Sequence, residues 1–173
     1  MKTAGYGNWF PIFEKEDAVR RFVKKGDLVL ELGCFNKVYE EAVTKAGGHY
    51  VGIDVKLWFG HRKPDIQCDA QKLPFRNSCF DVVLAFDIIE HVENPIQVLR
   101  ESYRVTKPYG LILVTVPLMR YAEYDPSHLH TYTGEILRRQ LTYVGWHVTQ
   151  LQEEKIFYHR YNGNIFAVAV KPK

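Results

Sequence analysis

The feature that most constrains the fold is an apolar run that ends at a tight turn. Leu28–Leu32 reads Leu-Val-Leu-Glu-Leu, and Gly33 and Cys34 follow it directly. Such a run is typical of a buried parallel strand that stops at a glycine turn. A nucleotide-type or nucleoside-type site places more glycines directly after this strand, so that the backbone can approach a ligand. This chain has Phe35 and Lys37 instead, so the pattern is broken where a ligand would make contact.

Strands and helices are predicted to alternate along the chain. The strands are predicted over residues 27–32, 49–55, 66–69, 80–86, 111–116, 146–152 and 165–170, and the helices over residues 14–25, 37–46, 95–106 and 133–144. The sequence Asn94-Pro95 is a good helix start, and Asn162-Gly163-Asn164 favours a hairpin return before the last strand. We therefore expect an α/β fold: a three-layer Rossmann-like sheet of seven strands, mostly parallel, with an antiparallel C-terminal hairpin strand.

Length and composition bound the domain organisation and the cellular setting. The 173 residues fit one domain, predicted over residues 14–173, and the aromatic, glycine-rich residues 1–13 are predicted to form an N-terminal arm or lid. The net charge of +3 is small and scattered, so nucleic acid is not indicated. Three cysteines without a pairing motif, and no signal peptide, predict a reducing, cytoplasmic setting. No apolar run approaches the ~20 residues of a membrane span.

Acidic residues recur where the predicted parallel strands end. Parallel sheets bind ligands beyond the carboxyl ends of their strands, at the switch point in strand order. Asp54 ends the second strand about 20 positions after Gly33, where an acid can accept hydrogen bonds from both hydroxyls of a ribose. The alternative is that Asp54 caps a following helix, but residues 55–60 do not have a helical pattern. The other acids at this sheet edge are Asp69, Asp87 and Glu90.

The ordered set of motifs resembles the class I S-adenosylmethionine-dependent methyltransferases. The motifs are Glu31-Leu32-Gly33-Cys34, Gly52-Ile53-Asp54, Cys68-Asp69-Ala70, Leu73-Pro74-Phe75, Phe80-Asp81-Val82-Val83 and Asp87-Ile88-Ile89-Glu90-His91-Val92 with Asn94-Pro95. The last block is similar to the small-molecule branch that includes quinone-biosynthesis methyltransferases. The resemblance covers roughly residues 14–173; it is specific for the superfamily and weak for the substrate.

The resemblance implies which residues bind S-adenosylmethionine. Asp54 is expected to hold the ribose, while Asp69 accepts a hydrogen bond from the adenine amino group beside Ala70. Glu31 and Gly33 are expected to form the floor under the methionine part. Phe86 and Asp87 are expected to line the cleft near the sulfonium. The complete predicted set of cofactor-binding residues is Glu31, Gly33, Cys34, Phe35, Asp54, Val55, Asp69, Ala70, Phe86 and Asp87.

The loop after the first strand departs from the family pattern. Family members usually have glycine where this chain has Phe35 and Lys37. A phenylalanine ring intrudes where the ligand normally lies against bare backbone, whereas Asn36 can still supply a left-handed turn residue. Lys37 adds a cation near a cationic ligand unless it pairs with Glu31, Asp87 or the ligand carboxylate. We expect these two residues to weaken cofactor binding.

His91 is the predicted general base, and it lies four residues after Asp87, the second predicted catalytic residue. Methyl transfer from a sulfonium needs alignment of the acceptor, and it needs a base only when the acceptor must lose a proton. Imidazole suits that task; the alternative is that His91 packs or caps the loop before the next helix. The predicted substrate-pocket residues are His128, His130 and Tyr132. No metal is predicted, because the His-x-His pair lacks a third ligand at convincing spacing.

The leading hypothesis is therefore methyl transfer to a small-molecule acceptor. The first alternative is a binding or regulatory module of the same fold that is catalytically impaired by its altered loop. A third reading is an RNA or protein methyltransferase, although no Asn-Pro-Pro-aromatic run and no Pro-Cys nucleophile follows the fourth strand. A second subunit, a protein partner or the 1–13 arm is needed to complete the pocket unless the acceptor is large and external.

Overall fold

The computed structural model describes residues 15–57, 60–118, 125–153 and 163–173. The predicted arm over residues 1–13 lies outside them. The helices and strands in the described residues are α1 (Lys15–Phe22), β1 (Leu28–Leu32), α2 (Glu40–Lys45), β2 (His49–Asp54), β3 (Ile66–Gln67), β4 (Phe80–Phe86), α3 (Pro95–Val105), β5 (Thr106–Pro117), α4 (Gly134–Val144), β6 (His147–Glu153) and β7 (Asn164–Val170).

The strands form one seven-stranded sheet in the order β3-β2-β1-β4-β5-β7-β6. β7 runs antiparallel to both of its neighbours, β5 and β6, and the other pairs are parallel. The predicted mostly parallel sheet with an antiparallel last strand is confirmed. The strand order reverses between β1 and β4, so the switch point lies where these two strands end.

Helices cover both faces of the sheet, because successive residues of each central strand face opposite sides. Val29 packs in a cluster with residues of α1 and α2, whereas Leu30 packs in a second cluster with residues of α3 and α4. Val82 and Val83 of β4 divide between the same two clusters. Burial on both faces explains why these strands are apolar runs without alternation. The result is the predicted three-layer arrangement.

The largest local difference from prediction is at the start of β5. The strand predicted over residues 111–116 begins earlier, at Thr106 directly after α3, so that Pro108 lies inside it. Phe80 pairs with Thr106 and Val82 pairs with Leu111, so the extra residues of β5 are taken up as an irregularity in the ladder. Turn residues in the sequence therefore marked a bulge and not the boundary of the strand.

The helices α3 and α4 begin where their capping residues predict. The Asn94 side chain accepts a hydrogen bond from the backbone N–H of Gln97 at 3.1 Å, and Pro95 is the first residue of α3. The Thr133 hydroxyl accepts from the N–H of Ile136 at 3.2 Å at the start of α4. These caps fix the ends of the two connections that lead from β4 and β5 to the candidate site.

Candidate functional site

A cleft of about 620 Å³ lies beyond the carboxyl ends of β1, β2 and β4. This is the switch point of the sheet, where ligands of open α/β folds bind. Of the residues singled out from the sequence, those that line it are Gly33, Phe35, Asp54, Val55, Asp69, Ala70, Asp87 and His91. The structure therefore brings most of the predicted cofactor residues and the predicted base to one cavity.

The turn after β1 has a left-handed backbone at every second residue. The φ angles are 64° at Gly33, 45° at Phe35 and 56° at Lys37. A Cβ on Gly33 would lie 2.8 Å from Cδ1 of Ile88, the end of a side chain that can move, so glycine is favoured there mainly by the left-handed backbone. Phe35 and Lys37 keep the backbone conformation that glycine would favour, at a cost in strain. The turn therefore keeps its shape although the glycines are replaced.

The two replaced positions send their side chains in different directions. Phe35 lines the cleft, is 40% exposed, and has its ring 4.5 Å from that of His61, centre to centre. Lys37 forms an ion pair with Asp65, rather than with either of the acids anticipated from the sequence. The side-chain oxygen of Asn36 accepts a hydrogen bond from the N–H of Arg62 at 2.8 Å. The altered turn is thus joined to the connection between β2 and β3.

Asp54 is buried at the end of β2, and the backbone holds both of its carboxylate oxygens. Oδ2 accepts a hydrogen bond from the N–H of Phe35, and Oδ1 accepts one from the N–H of Lys56, both at 2.9 Å. A carboxylate offers about four lone-pair directions, so each oxygen retains room for a ligand hydroxyl. The carboxylate is therefore held in place while it can still accept two hydrogen bonds.

Asp69 and Ala70 form the neighbouring part of the cleft wall. Oδ1 of Asp69 accepts a hydrogen bond from the backbone N–H of Gln71 at 2.8 Å. The side chain of Gln71 in turn accepts from the N–H of Asn94 at 3.1 Å, which joins this wall to the start of α3. Ala70 is buried. A flat apolar surface beside a fixed acceptor suits a nitrogen base that carries an amino group.

Three predicted cofactor residues lie behind the cleft and do not line it. Glu31 is buried and accepts a hydrogen bond from the hydroxyl of Tyr50; burial raises the pKa of Glu31 to about 8. Burial likewise raises the pKa of the Cys34 thiol to about 12. Phe86 packs in the cluster on the α1 and α2 face, edge-on to Tyr39. These side chains support the cleft from below.

Asp87 follows β4 with a φ of 49° and is held by β5 and by α1. Its N–H donates to the carbonyl oxygen of Thr115 at 3.0 Å, and the Thr115 hydroxyl donates to Oδ1 of Asp87 at 2.8 Å. Oδ2 pairs with the ammonium of Lys15. Neither Lys15 nor Thr115 was singled out in the sequence, because contacts over such separations leave no local pattern.

His91 and His128 meet at the side of the cleft away from Asp54. Nδ1 of His91 lies 3.1 Å from both the carbonyl and the hydroxyl oxygen of Ser127. The two imidazole rings are 4.8 Å apart, centre to centre, and Nε2 of His128 lies 3.8 Å from a carboxylate oxygen of Asp125. When Nδ1 of His91 donates to the Ser127 carbonyl, Nε2 carries the lone pair that a base needs.

The other two residues predicted for the acceptor pocket lie elsewhere. Nε2 of His130 is 2.9 Å from the carbonyl oxygen of Val92, and Tyr132 is 1% exposed within the core cluster. The N–H groups of Leu129 and His130 donate to the carbonyl oxygen of Glu90 at 2.8 and 3.2 Å, which fixes this loop against the end of β4. Of the residues predicted for the acceptor side, the structure therefore brings His91 and His128 together.

The burial of the Glu90 side chain was not predicted from the sequence. Its side chain is fully buried, and neither carboxylate oxygen has a hydrogen-bond partner among the described residues. Burial, reinforced by Asp87, raises the pKa of Glu90 to about 8. Glu90, His91 and His128 each have one ligand atom within 4.8 Å of the others, a donor set that suits a divalent cation. The absence of a metal remains a prediction.

Comparisons with known proteins agree with this geometry. Residues 30–114 match the model of the methyltransferase domain family. Ubiquinone biosynthesis O-methyltransferase of Pseudomonas aeruginosa is 29% identical over 105 residues, which are 52% of this chain and 44% of that protein. The chain spans about half the length of the curated relatives it matches.

Solved structures share the fold at low sequence identity. A chain from the complex between the Haloferax volcanii Trm112 methyltransferase activator and a methyltransferase has a TM-score of 0.76 and 19% identity, over 92% of this chain and 89% of that chain. A SAM-dependent methyltransferase of Aquifex aeolicus has a TM-score of 0.72 and 18% identity, over 91% of this chain and 89% of that chain.

The family match over residues 30–114 and the shared fold show that this chain is similar to the class I S-adenosylmethionine-dependent methyltransferases. The resemblance drawn from the sequence is confirmed. No helix in the segments that the structure describes is long and apolar enough to cross a membrane.

Proposed function

We propose that the chain binds S-adenosylmethionine in the cleft at the switch point and transfers its methyl group to a small-molecule acceptor. One observation carries the proposal: the glycine turn at Gly33, the ribose-type acid Asp54 and the pair Asp69–Ala70 line a single cavity. The family match supports the methyl-transfer chemistry. The part of the proposal that concerns the acceptor rests on the residues around His91.

The residues present fit the cofactor. Asp69 accepts from the adenine amino group beside Ala70, and Asp54 accepts from the two ribose hydroxyls. Gly33 leaves the backbone bare at the methionine end, where a Cβ would collide with Ile88. Asp87 lies on the opposite wall of the same cleft. The cofactor, when bound, supplies an electrophilic methyl group on a sulfonium sulfur.

His91 serves the acceptor side in this proposal. Its contacts with Ser127 hold the ring at the cleft wall, and its neutral form takes the proton that an oxygen or sulfur acceptor must lose. The Ser127 hydroxyl donates to the carboxylate of Asp125 at 2.6 Å, and this carboxylate offsets the positive charge that His91 then carries. Alignment of the acceptor against the bound methyl group contributes the remainder of the rate enhancement.

A binding or regulatory module is the second candidate, and Phe35 favours it. Its side chain projects into the cleft where the family pattern has glycine, so a cofactor could bind without reaching the geometry for transfer. A protein partner is compatible with either function, since one structural neighbour comes from a complex with a methyltransferase activator. Binding without turnover toward any acceptor would select this candidate.

Titration calorimetry with S-adenosylhomocysteine tests the binding step. The wild type should bind with a stoichiometry of one, and Asp54→Ala should weaken binding about 30-fold or more, because two charge-assisted hydrogen bonds are lost. Glu135→Gln, on the exposed face of α4, is the matched control and should bind as the wild type does. No binding by the wild type, or equal affinity of a folded Asp54→Ala protein, would overturn the assignment.

A further inference from the structure

The ion pair between Lys15 and Asp87 lies at the edge of the cleft that the proposed function gives to the methionine end of the cofactor. Lys15 begins α1, its side chain is only 14% exposed, and its ammonium pairs with Oδ2 of Asp87. Oδ1 of the same carboxylate accepts a hydrogen bond from the Thr115 hydroxyl at 2.8 Å. Both oxygens of Asp87 are therefore occupied by groups of the chain.

The position of the Lys15 ammonium is one that attracts cations. Besides the carboxylate of Asp87, the ammonium lies 6.0 Å from the centre of the Phe86 ring. A carboxylate beside an aromatic ring is a pair of groups that binds positive charge. In this chain the bound cation is the ammonium of Lys15, from the first turn of α1, and it offsets the negative charge of the Asp87 carboxylate at the cleft.

We propose that Lys15 sets the selectivity of the cleft between the two charge states of the cofactor, the cationic sulfonium and the neutral thioether product. This inference rests on the proposed function, because it requires the cofactor to occupy the cleft. Asp69 and Asp54 take the adenosine part, so the sulfur lies toward the wall that carries Asp87. Lys15 then holds a positive charge close to the atom whose charge differs between substrate and product.

The physical reason is direct electrostatics at a partly buried site. S-adenosylmethionine and S-adenosylhomocysteine share the adenosine, the α-ammonium and the carboxylate. They differ in the transferable methyl group and in the positive charge on the sulfur. Lys15 offsets the attraction of Asp87 for the sulfonium and repels it as a like charge. At a partly buried site, such interactions between unit charges change an affinity several-fold. Lys15 therefore favours the thioether product and strengthens product inhibition.

Two other roles for Lys15 lead to different measurements. A residue that only anchors α1 to the sheet would change the stability of the protein and leave the ratio of the two affinities unchanged. If the Lys15 ammonium instead moved from Asp87 to the carboxylate of the ligand, its removal would weaken the binding of both ligands equally. Only a role in charge selectivity changes the ratio of the two dissociation constants.

The test is a pair of calorimetric titrations, with S-adenosylmethionine and with S-adenosylhomocysteine, on the wild type and on Lys15→Gln. The variant removes the charge and keeps most of the length of the side chain. We expect the ratio of dissociation constants, sulfonium over thioether, to fall about fivefold. Lys15→Arg keeps the charge and should retain the ratio of the wild type.

Asp87→Asn gives an independent measurement in the opposite direction. It leaves the ammonium of Lys15 without its counter-charge, so the same ratio should rise above that of the wild type. A ratio that stays within about twofold of the wild type in both variants, or an equal loss for both ligands in Lys15→Gln, overturns this inference alone. Failure of the wild type to bind either ligand overturns the proposed function and this inference with it.

Discussion

The two halves of the cleft, which the proposed function assigns to the cofactor and to the acceptor, differ in what holds their polar groups in place. In the cofactor half, the carboxylates of Asp54 and Asp69 accept hydrogen bonds from backbone N–H groups of residues near the strand ends. In the acceptor half, His91 contacts a loop 36 residues away in the chain, and the carboxylate of Glu90 is buried with no hydrogen-bond partner among the described residues. The cofactor half is preorganised by local structure, whereas the acceptor half depends on tertiary packing.

This difference indicates where the protein carries electrostatic strain. An unpaired buried carboxyl is costly in its charged form, and it is tolerated here because the proton stays on. The pKa of Glu90 is raised to about 8 by burial. The acceptor half therefore contains a group that destabilises the fold as it ionises, a feature that is common at functional sites.

The largest expected effect is on stability, through Glu90. Its folded-state pKa is raised, so its contribution to stability is present at acid pH and is lost as the pH rises toward the folded-state pKa. Glu90→Gln should be more stable than the wild type at about pH 8 by on the order of 3 kcal/mol, and the two should differ little near pH 5. Denaturant unfolding at both pH values measures this.

Glu93→Gln is the control for that experiment, because Glu93 is an exposed neighbour. Part of the pH dependence should survive in Glu90→Gln, since burial also raises the pKa of Glu31 to about 8. Equal stability of Glu90→Gln and the wild type near pH 8 would show that Glu90 has a partner or stays hydrated, and the contrast between the two halves would be lost.

The next effect concerns the base in the acceptor half. Methyl transfer by the wild type should depend on the imidazole of His91, which takes the proton that the acceptor loses. His91→Ala should lower the rate about 100-fold at neutral pH, while leaving cofactor affinity unchanged. Transfer of labelled methyl groups to a panel of small phenols, carboxylic acids and thiols measures the rate.

His147→Ala is a matched control, because His147 is exposed and begins β6 at the opposite edge of the sheet. Full activity of His91→Ala would leave alignment of the acceptor as the whole mechanism. Repeating the wild-type assay with EDTA tests the donor set of Glu90, His91 and His128. Loss of activity that Mg²⁺ or Zn²⁺ restores would contradict the prediction that no metal is bound.

The smallest effect concerns the altered turn of the cofactor half. Phe35 and Lys37 have positive φ angles, so the double variant Phe35→Gly, Lys37→Gly relieves strain and removes a ring from the cleft. We expect affinity for S-adenosylhomocysteine to rise about threefold, or roughly 0.7 kcal/mol. Calorimetry on this variant and on Lys37→Gly alone separates the two residues. Weaker binding by the folded double variant would show that Phe35 contacts the ligand.

The positions of the proposed cofactor residues could be predicted from the sequence because their signals are local. The apolar run up to Leu32, the glycine turn and an acid about 20 residues later occur within short stretches, and the structure brings Gly33, Asp54 and Asp69 to one cleft. The helix at Pro95 was likewise predicted from its cap. Patterns of this kind also predicted the number of strands and their directions.

The acceptor half could be predicted only in part, because its contacts join distant residues. His130 bonds to the backbone of Val92, and Tyr132 packs in the core; nothing in a His-x-His-x-Tyr pattern distinguishes such residues from pocket residues. The pairing of Lys15 with Asp87 spans 72 residues and leaves no periodic signal. The start of β5 was missed because Pro108 and Gly110 mark a bulge there.

The most direct test of the central claim is a crystal structure of the chain with S-adenosylhomocysteine. The account predicts one molecule in the cleft, with both ribose hydroxyls within hydrogen-bond distance of Asp54 and the adenine between Asp69 and Ala70. The sulfur should lie on the side of Asp87. A ligand bound elsewhere, or bound in the cleft with its ribose away from Asp54, would contradict the account.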